Sequence, residues 1–339
     1  MHTALLPALL VATGTLGFAA DAHAGDLCTV EPTIVSYFKP AELPKQADTR
    51  CKNEGGKCKK LELKAHLYVP PASVKTKGPY PVLVFNHGSG EEVKGSCEIG
   101  SYFAELGYVV VMPHRRGHGQ STGVYLSEYV QKWCSKPGQA AFCKMEYLHK
   151  QELDVKEAVN WAKARKDVDP KRLAIGGHSY GGIATMFTNT RDLGQRAVLD
   201  FAGASQSWEG DPAIAAKEMK EAVRKAVAPM FFFEPLNDAS IEPTIRLAKV
   251  AGMNCKQYQS AMYAAVDIDK DGSITPTDYS GKRDADGNHN RDKAHGMSTR
   301  MVNVWGPAAH EFMQRYFKRP AESFDKLCKG TSLITEDED

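Results

Sequence analysis

"GGHSYGG", residues 176–182, sets four glycines around one serine, between the apolar run "RLAIGG" (172–177) and "GGIATMFTNT" (181–190), which has the texture of a helix opening. Gly177-His178-Ser179-Tyr180-Gly181 therefore fits a G-x-S-x-G turn in a strand–turn–helix context. Such a turn is too sharp for side chains two residues either side of the serine. It also holds the serine in a strained backbone conformation costing on the order of 1–3 kcal/mol. The strain aims the hydroxyl into a cleft at the carboxyl edge of a sheet, so Ser179 reads as a nucleophile. The plainer alternative is a glycine-rich turn that only opens a helix, and the strand before it argues against that.

Outward from this turn, "YPVLVFN", "YVVVMP", "AVLDFAG" and "PMFFFEP" are short apolar runs of the kind buried parallel strands show, and "LELKAHLYV" alternates as a half-buried strand does. Helical stretches lie between them. The clearest is "KQELDVKEAVNWAKARKDVD", with Leu153, Val155, Ala158, Val159 and Ala162 at helical spacing; others are 97–106, 181–192, 212–227, 241–252 and 305–317. Alternating strand and helix predicts an α/β fold with a mostly parallel sheet covered on both faces.

A serine hydroxyl needs a base to take its proton, and the base needs an acid to orient it. The chain order expected for this turn is Ser, then Asp or Glu, then His. Asp238, in "PMFFFEPLNDAS", lies just past a strongly apolar strand, whereas Glu234 is still within it. The structural alternative for Asp238 is an N-cap for the helix starting near 241. Of the histidines that follow, His289 sits in an Asp/Asn/Gly run, His310 lies inside an amphipathic helix, and His295, in "KAHGMS", combines a loop position with a following glycine. His295 is the chosen base. The oxyanion needs two N–H donors: Tyr180, next to the nucleophile, and Ser89 in "NHGSG" (86–90), with Gly88 as alternative. His87 reads as a structural hydrogen-bonder.

"VFNHGSG", "RRGHGQS" (115–121), "GGHSYGG", "FAGASQSW" (201–208), "PMFFFEPLNDASI" and "AHGMS…VWGP" together resemble the α/β-hydrolase superfamily, and within it the bacterial dienelactone-hydrolase-like group. The resemblance covers residues 61–318. It implies an eight-stranded sheet, a Ser179–His295–Asp238 triad, no cofactor for chemistry, and hydrolysis of carboxylic esters or lactones through an acyl-enzyme. Ser179 stands where the founding dienelactone hydrolases carry cysteine, and acidic residues are inserted ahead of His295. Trp208 could wall an acyl pocket or be one buried aromatic among many. Arg115 and Arg116 could meet a substrate carboxylate, but positioning of their loop is the safer role.

"DIDKDGSITPTD" (267–278) has the ligand grammar of a calcium loop: Asp267, Asp269, Asp271 and Asp278 supply carboxylates, Ser273 its backbone carbonyl, and glycine the bend. It resembles EF-hand loops, more closely those of dockerin type. A structural Ca2+ that orders the loop before His295 is the expectation. The rival is an acidic solvated turn, and "CKQYQSAMYAAV" before it could be the last sheet strand instead of an entering helix. "DADGNHNRD" (284–292) could extend the same acidic insertion, 267–292.

The apolar opening followed by Ala22-His23-Ala24 reads as a secretory signal peptide, residues 1–24, which predicts a secreted or periplasmic protein. Residues 25–60 read as a Cys-containing extension, 61–320 as the catalytic domain, and 321–339, ending "TEDED", as a tail. All eight cysteines lie beyond residue 24, which favours disulfides over a metal site; Cys51 with Cys58 and Cys134 with Cys143 are the cheapest local pairs. The other four could tie the N-terminal segment and the tail to the body. Net charge is +2 without a long basic run, so neither nucleic acid nor a membrane span is expected as a partner. The expected activity is that of a serine esterase on a small-molecule ester. The rivals are a prolyl-oligopeptidase-like serine peptidase and a non-catalytic calcium-dependent binding module.

Overall fold

Runs of Val, Leu, Ile and Phe with no polar alternation can be satisfied only where both faces of a strand are covered. In the computed structural model the described residues are 10–11, 28–38, 61–93, 96–134, 136, 138–208, 214–254, 256–263 and 294–319. Their elements run β1 (Leu10–Val11), β2 (Thr33–Phe38), β3 (Leu63–Tyr68), β4 (Tyr80–Asn86), α1 (Ser96–Glu105), β5 (Val109–His114), α2 (Leu126–Trp133), α3 (Ala140–Lys163), β6 (Val168–His178), α4 (Tyr180–Thr188), β7 (Gln195–Phe201), α5 (Ile214–Lys225), β8 (Met230–Pro235), α6 (Glu242–Met253), β9 (Tyr258–Tyr263), α7 (Met297–Arg300) and α8 (Val302–Phe317). The sheet order is β1-β9-β8-β7-β6-β4-β5-β3-β2. From β5 through β9 the pairing is parallel, while β3 and β2 add antiparallel strands at one edge. The expected eight strands are β2–β9, and the two-residue β1 joins the far edge beside β9.

The pleat divides each strand between two cores. Val82 and Val84 enter one cluster with Val155, Ala158 and Val159 of α3, Ile183 of α4 and Met219 of α5. Leu83 and Phe85, one residue out of step, enter the other with Phe103 of α1 and Trp305 and Phe312 of α8. This period-two split explains why the central strands are apolar throughout.

Three expectations shift. Residues 25–60 read as irregular, yet Thr33–Phe38 pair antiparallel with β3; only Tyr37 and Phe38 of that strand are buried, so its alternation is faint. The helix expected from residue 150 begins at Ala140, and its Leu153 is 42% exposed. The buried face of α3 instead takes Gln151, Glu152 and Asp154, because polar loops pack against it there. Residues 258–263 form a strand, the alternative to a helix leading into the acidic insertion.

Two disulfides lie among the described residues, and no cysteine there is free. Cys134–Cys143 is the expected local pair, and Cys28–Cys97 ties the N-terminal segment to α1. Cys51, Cys58, Cys255 and Cys328 lie outside the described residues. Because loop-closure entropy grows with the span closed, replacing Cys28 and Cys97 (separation 69) by Ser should cost about 4 kcal/mol. The same change at Cys134 and Cys143 (separation 9) should cost about 2.5 kcal/mol. Urea unfolding of the two variants under non-reducing conditions measures the order, and equal losses would contradict it.

Candidate active site

The carboxyl ends of β4, β6 and β8 meet at one edge of the sheet, where ligands of open α/β sheets bind. Ser179 follows β6 directly, with φ 55° and ψ −123°, and its N–H donates to the Phe201 carbonyl at 2.9 Å. For a residue with a side chain that left-handed φ is the strained conformation the sequence demanded. Two of the surrounding glycines have specific causes. A Cβ on Gly181 would stand 2.3 Å from the carbonyl oxygens of Asn86 and His87, and one on Gly177 would stand 2.3 Å from the Gly181 oxygen. Close approach of α4 to the end of β4 therefore requires Gly181 to be bare, and its close approach to the end of β6 requires the same of Gly177.

Asp238 lies three residues beyond β8 in a tight turn, Asp238 N–H donating to the Pro235 carbonyl at 3.2 Å. Both of its carboxylate oxygens are 2.9 Å from Nδ1 of His295, and neither side chain has appreciable exposure. Asp238 is not the cap of α6, whose N-cap is Ile241. Its Oδ1 also accepts from the Ser205 hydroxyl at 2.6 Å and the Ala239 N–H at 2.5 Å. Glu234 is fully buried without contact to His295, and burial raises its carboxyl well above the usual range. His310 lies elsewhere, its Nδ1 3.0 Å from the Tyr108 hydroxyl. His289 lies outside the described residues.

With Nδ1 committed to Asp238, Nε2 of His295 is buried and without a hydrogen-bond partner. His295 lines a cleft of about 490 Å³ together with His87, Gly88, Ser89, His178 and Ser179, with Glu91 and Glu92 also on its wall. A Cβ built on Gly88 would be 3.7 Å from Cβ of Ser179, so the 87–89 segment stands directly over the serine. Tyr180 is the first residue of α4, where backbone N–H groups have no helical acceptor. Trp208 is buried in the α5-side core and does not line the cleft. The ligands read for calcium, Asp267, Asp269, Asp271, Ser273 and Asp278, lie outside the described residues.

Several contributors were not singled out from the sequence. Ser205 comes from a loop in which Ala202 and Ala204 also have positive φ, and such strain has no sequence signature when alanine bears it. His178, inside the G-x-S-x-G turn, places Nε2 3.0 Å from the His295 carbonyl oxygen and its ring 4.5 Å from the His295 ring. Burial and the adjoining His295 hold His178 well below the ordinary histidine range. It therefore adds no positive charge beside His295.

The chain has the α/β-hydrolase fold. Residues 59–215 match the family model for X-Pro dipeptidyl-peptidase (S15 family). Putative hydrolase YtaP of Bacillus subtilis is 27% identical over 157 residues, 42% of this chain and 50% of that protein. The acylaminoacyl peptidase of Pyrococcus horikoshii superposes with a TM-score of 0.55 at 18% identity, over 87% of this chain and 43% of that one. A dienelactone hydrolase from Anabaena variabilis superposes at 0.50 and 13% identity, over 85% and 98%. The chain spans half or less of the curated relatives it matches.

Beside the cleft, burial pushes His114 down to about 3 and His118 down to about 4. His114 faces His66, His118 and Lys64, and its Nδ1 accepts the Gln120 N–H at 3.0 Å, a bond only the neutral ring can make. The unfolded chain binds a proton near pH 6.5 that the native ring refuses, so stability from this group is complete above 6.5 and falls as pH is lowered toward 3. Asp200, pushed up to about 7 by burial, contributes with the opposite sign, so the informative quantity is a difference. His114→Gln should be destabilised relative to the parent at pH 7. That gap should shrink by about 1.4 kcal/mol per unit below pH 6.5. Urea titrations at pH 7 and 5 measure it, and a constant gap would show that the native ring takes up its proton as the unfolded chain does.

Proposed function

We propose that this chain is an exported serine hydrolase that cleaves carboxylic esters, with Ser179 as nucleophile, His295 as base and Asp238 as orienting acid. The observation that carries the proposal is the pairing of His295 Nδ1 with both oxygens of Asp238 at 2.9 Å, which leaves Nε2 unpartnered in a residue that lines the same cleft as Ser179. In this reading Nε2 takes the Ser179 proton as Oγ attacks the ester carbonyl. The N–H groups of Tyr180 and Ser89 receive the oxyanion, and the alcohol leaves with the proton from His295. Water, activated by the same imidazole, then releases the acid. Near end-to-end superposition on a dienelactone hydrolase supports ester substrates, and two disulfides support an oxidising compartment. Among the described residues no helix is long and apolar enough to cross a membrane. The aspartates of 267–278 are proposed, on their spacing alone, to bind a structural calcium ion.

A peptidase is the second reading, favoured by the match of residues 59–215 to the X-Pro dipeptidyl-peptidase model. It uses the same three side chains. A panel of p-nitrophenyl esters against prolyl and aminoacyl anilides separates the two; turnover of anilides at rates matching the esters would replace the esterase with the peptidase.

Ser179→Ala should lower kcat by at least about 10⁴-fold and abolish labelling by a fluorophosphonate, and Asp238→Asn should lower kcat by about 10³–10⁴-fold at little cost in folding. Retained turnover in a folded Ser179→Ala protein would end the proposal. Chelation with EDTA should lower the thermal midpoint if calcium orders the segment before His295; an unchanged midpoint and turnover would remove the ion.

A further inference from the structure

Arg115 is fully buried, yet among the described residues it makes no ion pair. The nearby carboxylate, Asp154, is taken by Arg116, whose backbone N–H, Nε and Nη2 all donate to it. Arg115 instead donates through Nε to the Gln151 side-chain oxygen at 3.2 Å and through Nη2 to the Gly88 carbonyl oxygen at 2.8 Å. Its Nη1 is buried without a partner, and its guanidinium carbon lies 5.8 Å from the Tyr180 ring centre. Burial lowers its pKa only to about 10, so it is charged at neutral pH. A buried cation without an ion-pair partner is costly to the fold.

The oxygen it grips belongs to the peptide unit that ends in the Ser89 N–H. That peptide is trans, so its N–H points opposite to its C=O. Nη2 of Arg115 and Nδ1 of His87, the latter at 2.9 Å, both hold this carbonyl oxygen. The Ser89 N–H is thereby turned the other way, on a segment that shares the cleft with Ser179. The Tyr125 hydroxyl fixes the next carbonyl, that of Ser89, at 2.7 Å.

We propose that Arg115 is the positioning residue of the oxyanion site: it locks the Gly88–Ser89 peptide and, by placing positive charge behind its carbonyl, strengthens the Ser89 N–H toward the negative charge that develops in the transition state. This rests on the assignment of Ser179 as nucleophile. A purely structural arginine would affect folding without distinguishing ground from transition state; this one acts on the charge-developing step.

The test compares the full chain with Arg115→Met and Arg115→Lys on a p-nitrophenyl ester, together with inhibition by an alkyl boronic acid, which forms an anionic tetrahedral adduct with the serine. Arg115→Met should lower kcat by between about 10- and 100-fold with KM changed by less than about 3-fold, and boronate affinity should fall by the same factor as kcat/KM. Arg115→Lys, which keeps the charge, should recover most of both. If Arg115→Met does not fold, Arg115→Gln replaces it, since a glutamine retains a donor for the Gly88 carbonyl and removes only the charge. Wild-type kcat in a folded neutral variant, or a loss of kcat that boronate affinity does not follow, overturns the proposal. Absence of turnover and of fluorophosphonate labelling in the parent chain would instead overturn both this proposal and the assignment of Ser179.

Discussion

The arrangement depends on one backbone approach. The first turn of α4 lies against the carbonyls of Asn86 and His87, at and just past the end of β4, and only a residue without Cβ fits at Gly181, since a Cβ there would stand 2.3 Å from both oxygens. That contact fixes where β6 must stop and how sharply the chain must turn. Ser179 absorbs the turn as a left-handed φ of 55°. The same contact brings the 87–89 segment over the serine, so that the candidate nucleophile and the candidate oxyanion donors are set together.

Around this rigid centre the polar groups are held by buried partners. Asp238 is fixed from three directions by Ser205, Ala239 and His295, and the His295 carbonyl is met by His178. The loop after β5 is clamped onto α3 by Arg116 with Asp154, and by Gln151 reaching the Arg116 carbonyl. Such networks are costly when incomplete and rigid when satisfied. Two of the cleft-lining histidines, His295 and His87, keep a buried Nε2 without a partner, as does Nη1 of Arg115 behind them.

The buried charges follow a single electrostatic logic. His87 and His178 are held neutral by burial, Glu234 is pushed toward its protonated form, and Arg115 remains charged because guanidinium gives up its proton so reluctantly. Fixed positive charge thus stands behind the site, on the side of the Gly88 carbonyl.

Much of this was legible in the residues themselves. Continuous apolar runs marked β4 through β8 because two covered faces leave no place for polar alternation, and the glycines of 176–182 marked the turn because steric exclusion is local. Order along the chain, a place just past an apolar strand and a loop position before a glycine singled out Asp238 and His295, which the fold brings within 2.9 Å. Only tertiary structure decided the remainder. Leu153 is exposed while Asp154 is buried, β2 is a strand although two of its residues alone are covered, and Ser205 and Arg115 serve groups 33 and 27 residues away in sequence. A hydrogen bond between distant segments leaves no periodicity, and a buried charge looks like any other arginine until its neighbours are known. Local sterics and hydrophobic period are written in consecutive residues; the field at a site is written in what the fold packs against it.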